Sequence, residues 1–325
     1  MNAVVASASK AEGKILLSPP SKIADRAFKL LTWCMAMMVF VLVIVVGWEL
    51  FEGAGPSLKK FGWGFLVGTD WDPVNSSFGA LPVIFGTFVS SVLGLLIAVP
   101  LSLAAAICLT ELAPRWIRQP ATSLIEMLAA IPSVILGLWG FFVMVPWLQA
   151  YPYPLLKKLL GFLPLFRGPI YGPCILSAAI IVAIMIVPII TSISREVFRS
   201  VPDSQREAAF ALGATRWEVT RLAVLKGSTR GIFGASMLGL GRALGETMAV
   251  TMVVGNNATI SASLFAPGST LASAIANQFS EATDAMYLSA LFELGLVLLL
   301  VTLITNVFAH LLIGAVGGPK ASRRP

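Results

Sequence analysis

Four charged side chains interrupt the long apolar stretches of this sequence: Glu126, Arg242, Glu246 and Glu293. A charge inside an apolar solvent is costly unless it is paired or faces water. Arg242 and Glu246 are four residues apart, a spacing that places two side chains on one face of a helix. Such a pair can lock helices together, or its guanidinium fork can bind the oxygens of an oxyanion. The spacing alone leaves a packing ion pair and an anion contact open.

The other two acidic residues allow similar alternatives. Glu126 precedes an Ile-Pro-Ser turn and either faces the same path as Arg242 or pairs with a neighbouring helix, whereas Glu293 is predicted to be interfacial. His310 is the single histidine, and the cysteines all lie within apolar runs: Cys34, Cys108 and Cys174. These residues predict no metal site and no nucleophile–base set, so an intramembrane enzyme is not expected.

Composition indicates which elements position these charges. The 325 residues are 57% hydrophobic and 12% charged, with a mean hydropathy of +0.86, whereas soluble domains carry about 25% charged residues. The chain therefore needs a bilayer as solvent, where a spanning helix takes roughly 20 apolar residues. We predict an all-α, polytopic membrane protein with six spans, at 28–50, 81–109, 123–148, 172–193, 232–254 and 287–313.

Basic residues predict the orientation of these spans. With the N-terminus in the cytoplasm, 17 of the 23 Lys and Arg residues fall in cytoplasmic segments and five on the other side. Cytoplasmic segments are enriched in these residues, so we expect both termini inside. The predicted organisation is a cytoplasmic tail (1–27), a first span (28–50), an external loop (51–80), a core with five spans (81–313) and a cytoplasmic tail (314–325).

The cytoplasmic loop 194–231 contains the clearest helix start and stop signals in the sequence. Capping-box spacings predict two short helices, with two possible starts for the first and one for the second: Ser200 with Asp203 or Ser204 with Glu207, and Thr215 with Glu218. Gly213 is the expected left-handed stop of the first helix. That helix presents small side chains, and it either packs on its own protein or offers a docking surface.

The order Glu207-Ala208-Ala209, three further residues and Gly213 resembles the EAA loop of ABC importer permeases. Lys226 stands where that motif usually has a proline. The resemblance implies the type I importer permease fold and a coupling helix that docks on a separate ATPase through five residues: Glu207, Ala208, Ala209, Leu212 and Gly213. Because the chain has no phosphate-binding loop of its own, it would hold no cofactor, and the partner ATPase would bind ATP and Mg²⁺.

Three longer stretches, 129–140, 239–256 and 263–279, are similar to the C-type permeases of phosphate-specific transport systems. This resemblance implies a phosphate importer of the bacterial plasma (inner) membrane, with Arg242 and Glu246 on the phosphate path. The implied partners are a second permease of the A type, two copies of the ATPase, an external phosphate-binding protein and membrane lipid, but no nucleic acid. The alternatives are a permease for another oxyanion, such as sulfate, molybdate or phosphonate, and a stand-alone channel.

Overall fold

The computed structural model of the chain describes residues 22–316. Its contacts divide the chain into two units, with the boundary between Glu49 and Leu50. The described part of the first unit belongs to helix α1 (Lys22–Gly53), whose apolar residues are exposed on all sides. Such a helix is stable in hydrocarbon, as expected for the first span. The predicted tails lie outside the described residues, except for 22–27 and 314–316.

A small aromatic subdomain follows α1. It comprises α2 (Gly55–Phe61), α3 (Gly64–Val67) and an antiparallel hairpin of β1 (Trp71–Asp72) and β2 (Ser77–Phe78). Trp71 packs edge-on against Phe78 at a centroid distance of 5.1 Å. The Asp72 carboxylate closes the hairpin turn by accepting from the Asn75 side chain and backbone and from the Val74 backbone, and these donors lower its pKa. Apart from this hairpin and an isolated bridge between Gly255 and Gly268, the regular secondary structure of residues 22–316 is helical, as predicted.

Twelve helices make up most of the remainder: α4 (Leu81–Ile107), α5 (Arg115–Ala129), α6 (Ser133–Trp139), α7 (Val145–Ala150), α8 (Pro152–Leu160), α9 (Ile175–Arg199), α10 (Asp203–Ala211), α11 (Arg216–Val219), α12 (Thr229–Leu244), α13 (Met248–Val253), α14 (Leu271–Gln278) and α15 (Ala285–Val316). Three π-helical turns extend or join them, at Cys108–Leu112, Gly140–Met144 and Thr220–Leu225. A 3₁₀ turn lies at Pro164–Phe166.

Helix α9 is the centre of the second unit. It is buried over most of its length and packs against α4 and α12. The Ser102 hydroxyl of α4 donates to the Val187 carbonyl of α9 at 3.2 Å. Small and hydroxyl side chains of this kind let membrane helices approach closely and hold them in register.

Five helices in residues 22–316 are long and apolar enough to cross a membrane: Asp25–Gly53, Leu81–Leu112, Ser133–Ala150, Ile175–Arg199 and Ala285–Gly314. The predicted bounds of the third span were wrong, because the helix is broken before Ser133. Pro132 lacks an N–H and pushes the preceding residue out of helical geometry, which the apolar run 123–148 conceals. The predicted fifth span, 232–254, is divided between α12 and α13, so it is not one of the five long helices.

Candidate functional site

Two helix breaks interrupt apolar runs of the second unit. One separates α5 from α6 at residues 130–132, and the other separates α12 from α13 at residues 245–247. Helices α6 and α13 pack against each other, and a Cβ added at Gly137 would lie 2.9 Å from the Ala249 Cα. Only glycine permits this contact, which brings the halves that follow the two breaks together. Non-helical backbone at membrane depth is tolerated where it is buried in protein or lines a wet cavity.

Arg242 and Glu246 lie on either side of the second break. Arg242 lies in the last turn of α12, where the helix dipole favours a cation, and it is exposed. Glu246 is half-buried and follows the helix end at Leu244. The expectation that the two side chains share a helical face is therefore wrong, and no ion pair joins them among the described residues. The four-residue spacing could not show this, because Gly245 ends the helix between them.

Glu126 is paired in the structure. Its carboxylate accepts from the Arg195 guanidinium at 3.1 Å, linking α5 to the C-terminal end of α9. The Arg195 side chain is only 8% exposed, and it also lies 3.5 Å from Glu196. This contact favours the packing alternative for Glu126, whose place on a substrate path stays a prediction.

Arg195 itself was missed as a site residue, because loop counting assigned it to the cytoplasmic segment. The useful signal was the uninterrupted helical pattern that continues to Arg199. Glu293 is 3% exposed within α15, and its Oε2 has no hydrogen-bond partner in residues 22–316. Its interfacial position stays a prediction.

Several loops and helix ends surround a polar cavity of about 800 Å³. Asn256 and Asn257, which follow α13, line this cavity together with the hairpin residues Asp70 and Asp72 and with Gln278 of α14. Asn256 adopts a left-handed φ of 51°, a conformation that asparagine tolerates better than most side chains. These asparagines follow the end of α13 at Val253 and line an opening.

Helix α10 presents an apolar surface that the described chain does not cover. None of its residues is buried, Phe210 is exposed, and Leu212 just after it is 89% exposed. Glu207 and Ala208 also face outward, while Ala209 is half-buried. This exposure favours the docking alternative for α10, which stays a prediction.

The helix starts and stops in the loop 194–231 are partly as predicted. Gly213 has φ +80° and donates to the Phe210 carbonyl at 2.9 Å, so it is the left-handed stop. The second capping box is present, because the Thr215 backbone N–H and hydroxyl both donate to the Glu218 carboxylate and lower its pKa. The proposed first caps were wrong. Helix α10 starts after Pro202 and has no side-chain cap, because the proline at the N-cap position has no side-chain acceptor.

Comparison with known proteins identifies the relatives of this chain. Residues 98–317 match the family described as binding-protein-dependent transport system inner membrane component. A phosphate transport system permease protein PstC of Mesorhizobium japonicum is 47% identical over 89% of both chains. A PstC protein of Haemophilus influenzae is 46% identical over 89% of this chain and 93% of its own. A probable PstC protein of Methanocaldococcus jannaschii is 35% identical over 86% and 90%.

Solved structures agree on the fold. A bacterial ABC transporter involved in the import of the acidic polysaccharide alginate aligns over 91% of this chain and 99% of its own, with a TM-score of 0.59 and 15% identity. A bacterial alginate ABC transporter in complex with a periplasmic protein bound to an alginate pentasaccharide aligns over 88% and 94%, with a TM-score of 0.58 and 17% identity. At these identities the likeness concerns the fold, which is that of ABC importer permeases.

Proposed function

The chain belongs to the binding-protein-dependent transport system inner membrane components, and from this premise we propose that it is the translocation component of an ATP-driven phosphate importer. Phosphate is proposed as the substrate because this chain is 46–47% identical to PstC proteins over 89% of its length. The chain is thus a multi-pass membrane transport protein and not an enzyme. A permease for sulfate, molybdate or phosphonate is the less favoured alternative.

The exposed surface of α10 supports a separate ATPase as the partner on the cytoplasmic side. Leu212 and Phe210 would leave apolar surface in water unless another protein covers them. We assign the docking contact to Glu207, Ala208, Ala209, Leu212 and Gly213. The ATPase, in two copies, would bind ATP and Mg²⁺, and a second permease of the A type would complete the membrane part. An external phosphate-binding protein would deliver the substrate.

The charge distribution at the second break supports a phosphate path through Arg242 and Glu246. Arg242 is exposed, and no carboxylate lies within ion-pair distance of it in the described chain. Its fork of donors is available to an oxyanion. Glu246 lies in the same break and would repel a bound anion once the path opens, which favours release. Glu126 remains a weaker proposal for the path because Arg195 holds it.

Transport by the complete complex tests this function. We expect membranes that contain the chain, its sister permease, the ATPase and the binding protein to take up labelled phosphate in an ATP-dependent manner. Excess unlabelled phosphate should abolish uptake, and excess sulfate or molybdate should leave it unchanged. A complex whose ATPase lacks the lysine of its phosphate loop is the control. ATP-dependent uptake of sulfate or molybdate instead of phosphate would establish the alternative oxyanion permease.

The proposed orientation has both termini in the cytoplasm, as the basic-residue count predicts. We expect Val74→Cys, at the exposed hairpin, to react with a membrane-impermeant thiol reagent added outside intact cells. Lys226→Cys, in the loop 194–231, should react only after permeabilisation. The exposed Cys34 and Cys108 are replaced by alanine in both variants. The reverse labelling pattern would contradict both the orientation and the assignment of α10 to the ATPase.

A further inference from the structure

Arg206, one residue before the docking surface of α10, points back into the protein. Its Nη2 donates to the Glu111 carboxylate at 3.2 Å and to the Phe198 carbonyl at 2.8 Å. Its Nη1 donates to the Val201 carbonyl at 2.6 Å and to the Asp203 carboxylate at 3.1 Å. The side chain is 17% exposed. One guanidinium therefore contacts the coupling helix, the end of α9 and the end of the second span.

The contact at Glu111 lies at the end of a membrane span. Glu111 belongs to the π-helical turn Cys108–Leu112 that terminates the long helix Leu81–Leu112. Turns of this type occur frequently at functional sites. The Arg118 guanidinium donates to the Thr110 carbonyl of the same turn at 2.8 Å, so side chains from two later segments hold this end.

The contacts at Phe198 and Val201 lie at the end of α9. The last carbonyls of a helix have no partner within the helix, and a cation there satisfies them and complements the helix dipole. Because α9 packs along α4 and is joined to it by the Ser102–Val187 hydrogen bond, Arg206 connects α10 to the two central helices of the unit.

We propose that Arg206 and Glu111 form the link that transmits movement of the coupling helix to the second and fourth spans. This inference rests on the proposed function, because it requires an ATPase that moves α10. Arg206 is a positioning residue in this scheme. It contacts neither phosphate nor ATP, and it keeps α10 at a constant distance from the ends of α4 and α9 while the ATPase moves. Without the link, α10 could follow the ATPase while the spans stay in place.

The two carboxylates on Arg206 differ in what they can transmit. Glu111 is 16% exposed and belongs to another element, whereas Asp203 is 89% exposed and lies three residues away on the same helix. A shielded pair between elements constrains their relative position. An exposed pair within one helix contributes little. Replacing Glu111 and Asp203 one at a time therefore distinguishes a loss of transmission from the general effect of removing a negative charge beside Arg206.

The test compares Glu111→Gln with the matched control Asp203→Asn in the reconstituted complex with its sister permease, ATPase and binding protein. The readout is phosphate transported per ATP hydrolysed. Coupling free energies between sites commonly correspond to about 5–150-fold effects, and we expect Glu111→Gln to lower the ratio roughly tenfold while the ATPase still copurifies and still hydrolyses ATP. Asp203→Asn should leave the ratio unchanged.

Two further variants keep the test decisive if Glu111→Gln assembles poorly. Arg206→Lys retains the charge but cannot reach both carboxylates and two carbonyls, so it should assemble and also show a lowered ratio. The exchange Glu111→Arg with Arg206→Glu should recover part of the ratio. The proposal is overturned if Glu111→Gln or Arg206→Lys transports phosphate with the normal ratio. It is also overturned if their phosphate uptake falls only in proportion to lost ATP hydrolysis, because the ratio is then normal. Normal wild-type phosphate uptake in the same experiment shows that a failure concerns the link and not the proposed function.

Discussion

Replacing Arg242 by glutamine is expected to abolish phosphate uptake while the complex remains assembled. Glutamine keeps hydrogen-bond donors at the second helix break but is shorter and removes the charge that an oxyanion needs. Arg242 is exposed in the structure, but a phosphate bound in the path would shield the contact. Losing one partner of a shielded, charge-assisted contact costs about 3 kcal/mol, which corresponds to a roughly hundredfold loss of transport. The measurement is ATP-dependent uptake of labelled phosphate, normalised to the amount of assembled complex recovered from the membrane. Arg221→Gln, an exposed arginine in the π-turn Thr220–Leu225, is the control and should transport normally.

A double variant distinguishes a substrate contact from a packing device. If Arg242 and Glu246 stabilised each other, neutralising both would restore protein level and transport, since no lone charge would remain. The structure separates them by the helix end at Leu244 and shows no ion pair between them among the described residues. We therefore expect Arg242→Gln with Glu246→Gln to assemble and to remain inactive. Near-normal uptake by the double variant would contradict a substrate role for Arg242.

The sequence predicted the spans well where apolar runs end in polar segments, and poorly where they contain a break. The first, second, fourth and sixth predicted spans coincide with long helices of the structure. The two breaks lie inside continuous apolar runs, at Pro132 and around Gly245, so a hydropathy window averages over them. Both are marked by residues that terminate helices, and proline and glycine inside an apolar run are therefore informative about membrane sites.

The polar contacts between elements could not be predicted in the same way. Thr215 and Glu218 are three residues apart, and their capping box forms as the spacing indicated. Arg195 with Glu126, and Arg206 with Glu111, are separated by 69 and 95 residues. Such pairs depend on how helices pack and leave no local pattern. The basic-residue count assigned both arginines to a loop, although each is largely shielded from solvent.

Replacing Gly213 by valine is the second change with a large expected effect. Gly213 ends α10 with φ +80°, a region that costs L-residues about 1–2 kcal/mol and is worst for β-branched side chains. No atom lies within 4 Å of a Cβ built at this position, so the strain comes from the backbone and not from a clash within the chain. The turn should relax to a negative φ and redirect Ala214 and α11 away from the line set by α10. The ATPase would then meet a different surface at Leu212.

The experiment pairs Gly213→Val with Gly213→Asn, because asparagine is of similar size and tolerates the left-handed region. We expect Gly213→Val to insert normally, to recover less ATPase on purification and to lose most phosphate uptake, by about tenfold for each 1.4 kcal/mol of lost docking free energy. Gly213→Asn should retain most of both. If the two variants lose uptake equally, the cause is the added side chain at the docking surface. If both transport normally with normal ATPase recovery, the left-handed turn is not part of the coupling surface, and the docking contact must lie elsewhere in residues 194–231.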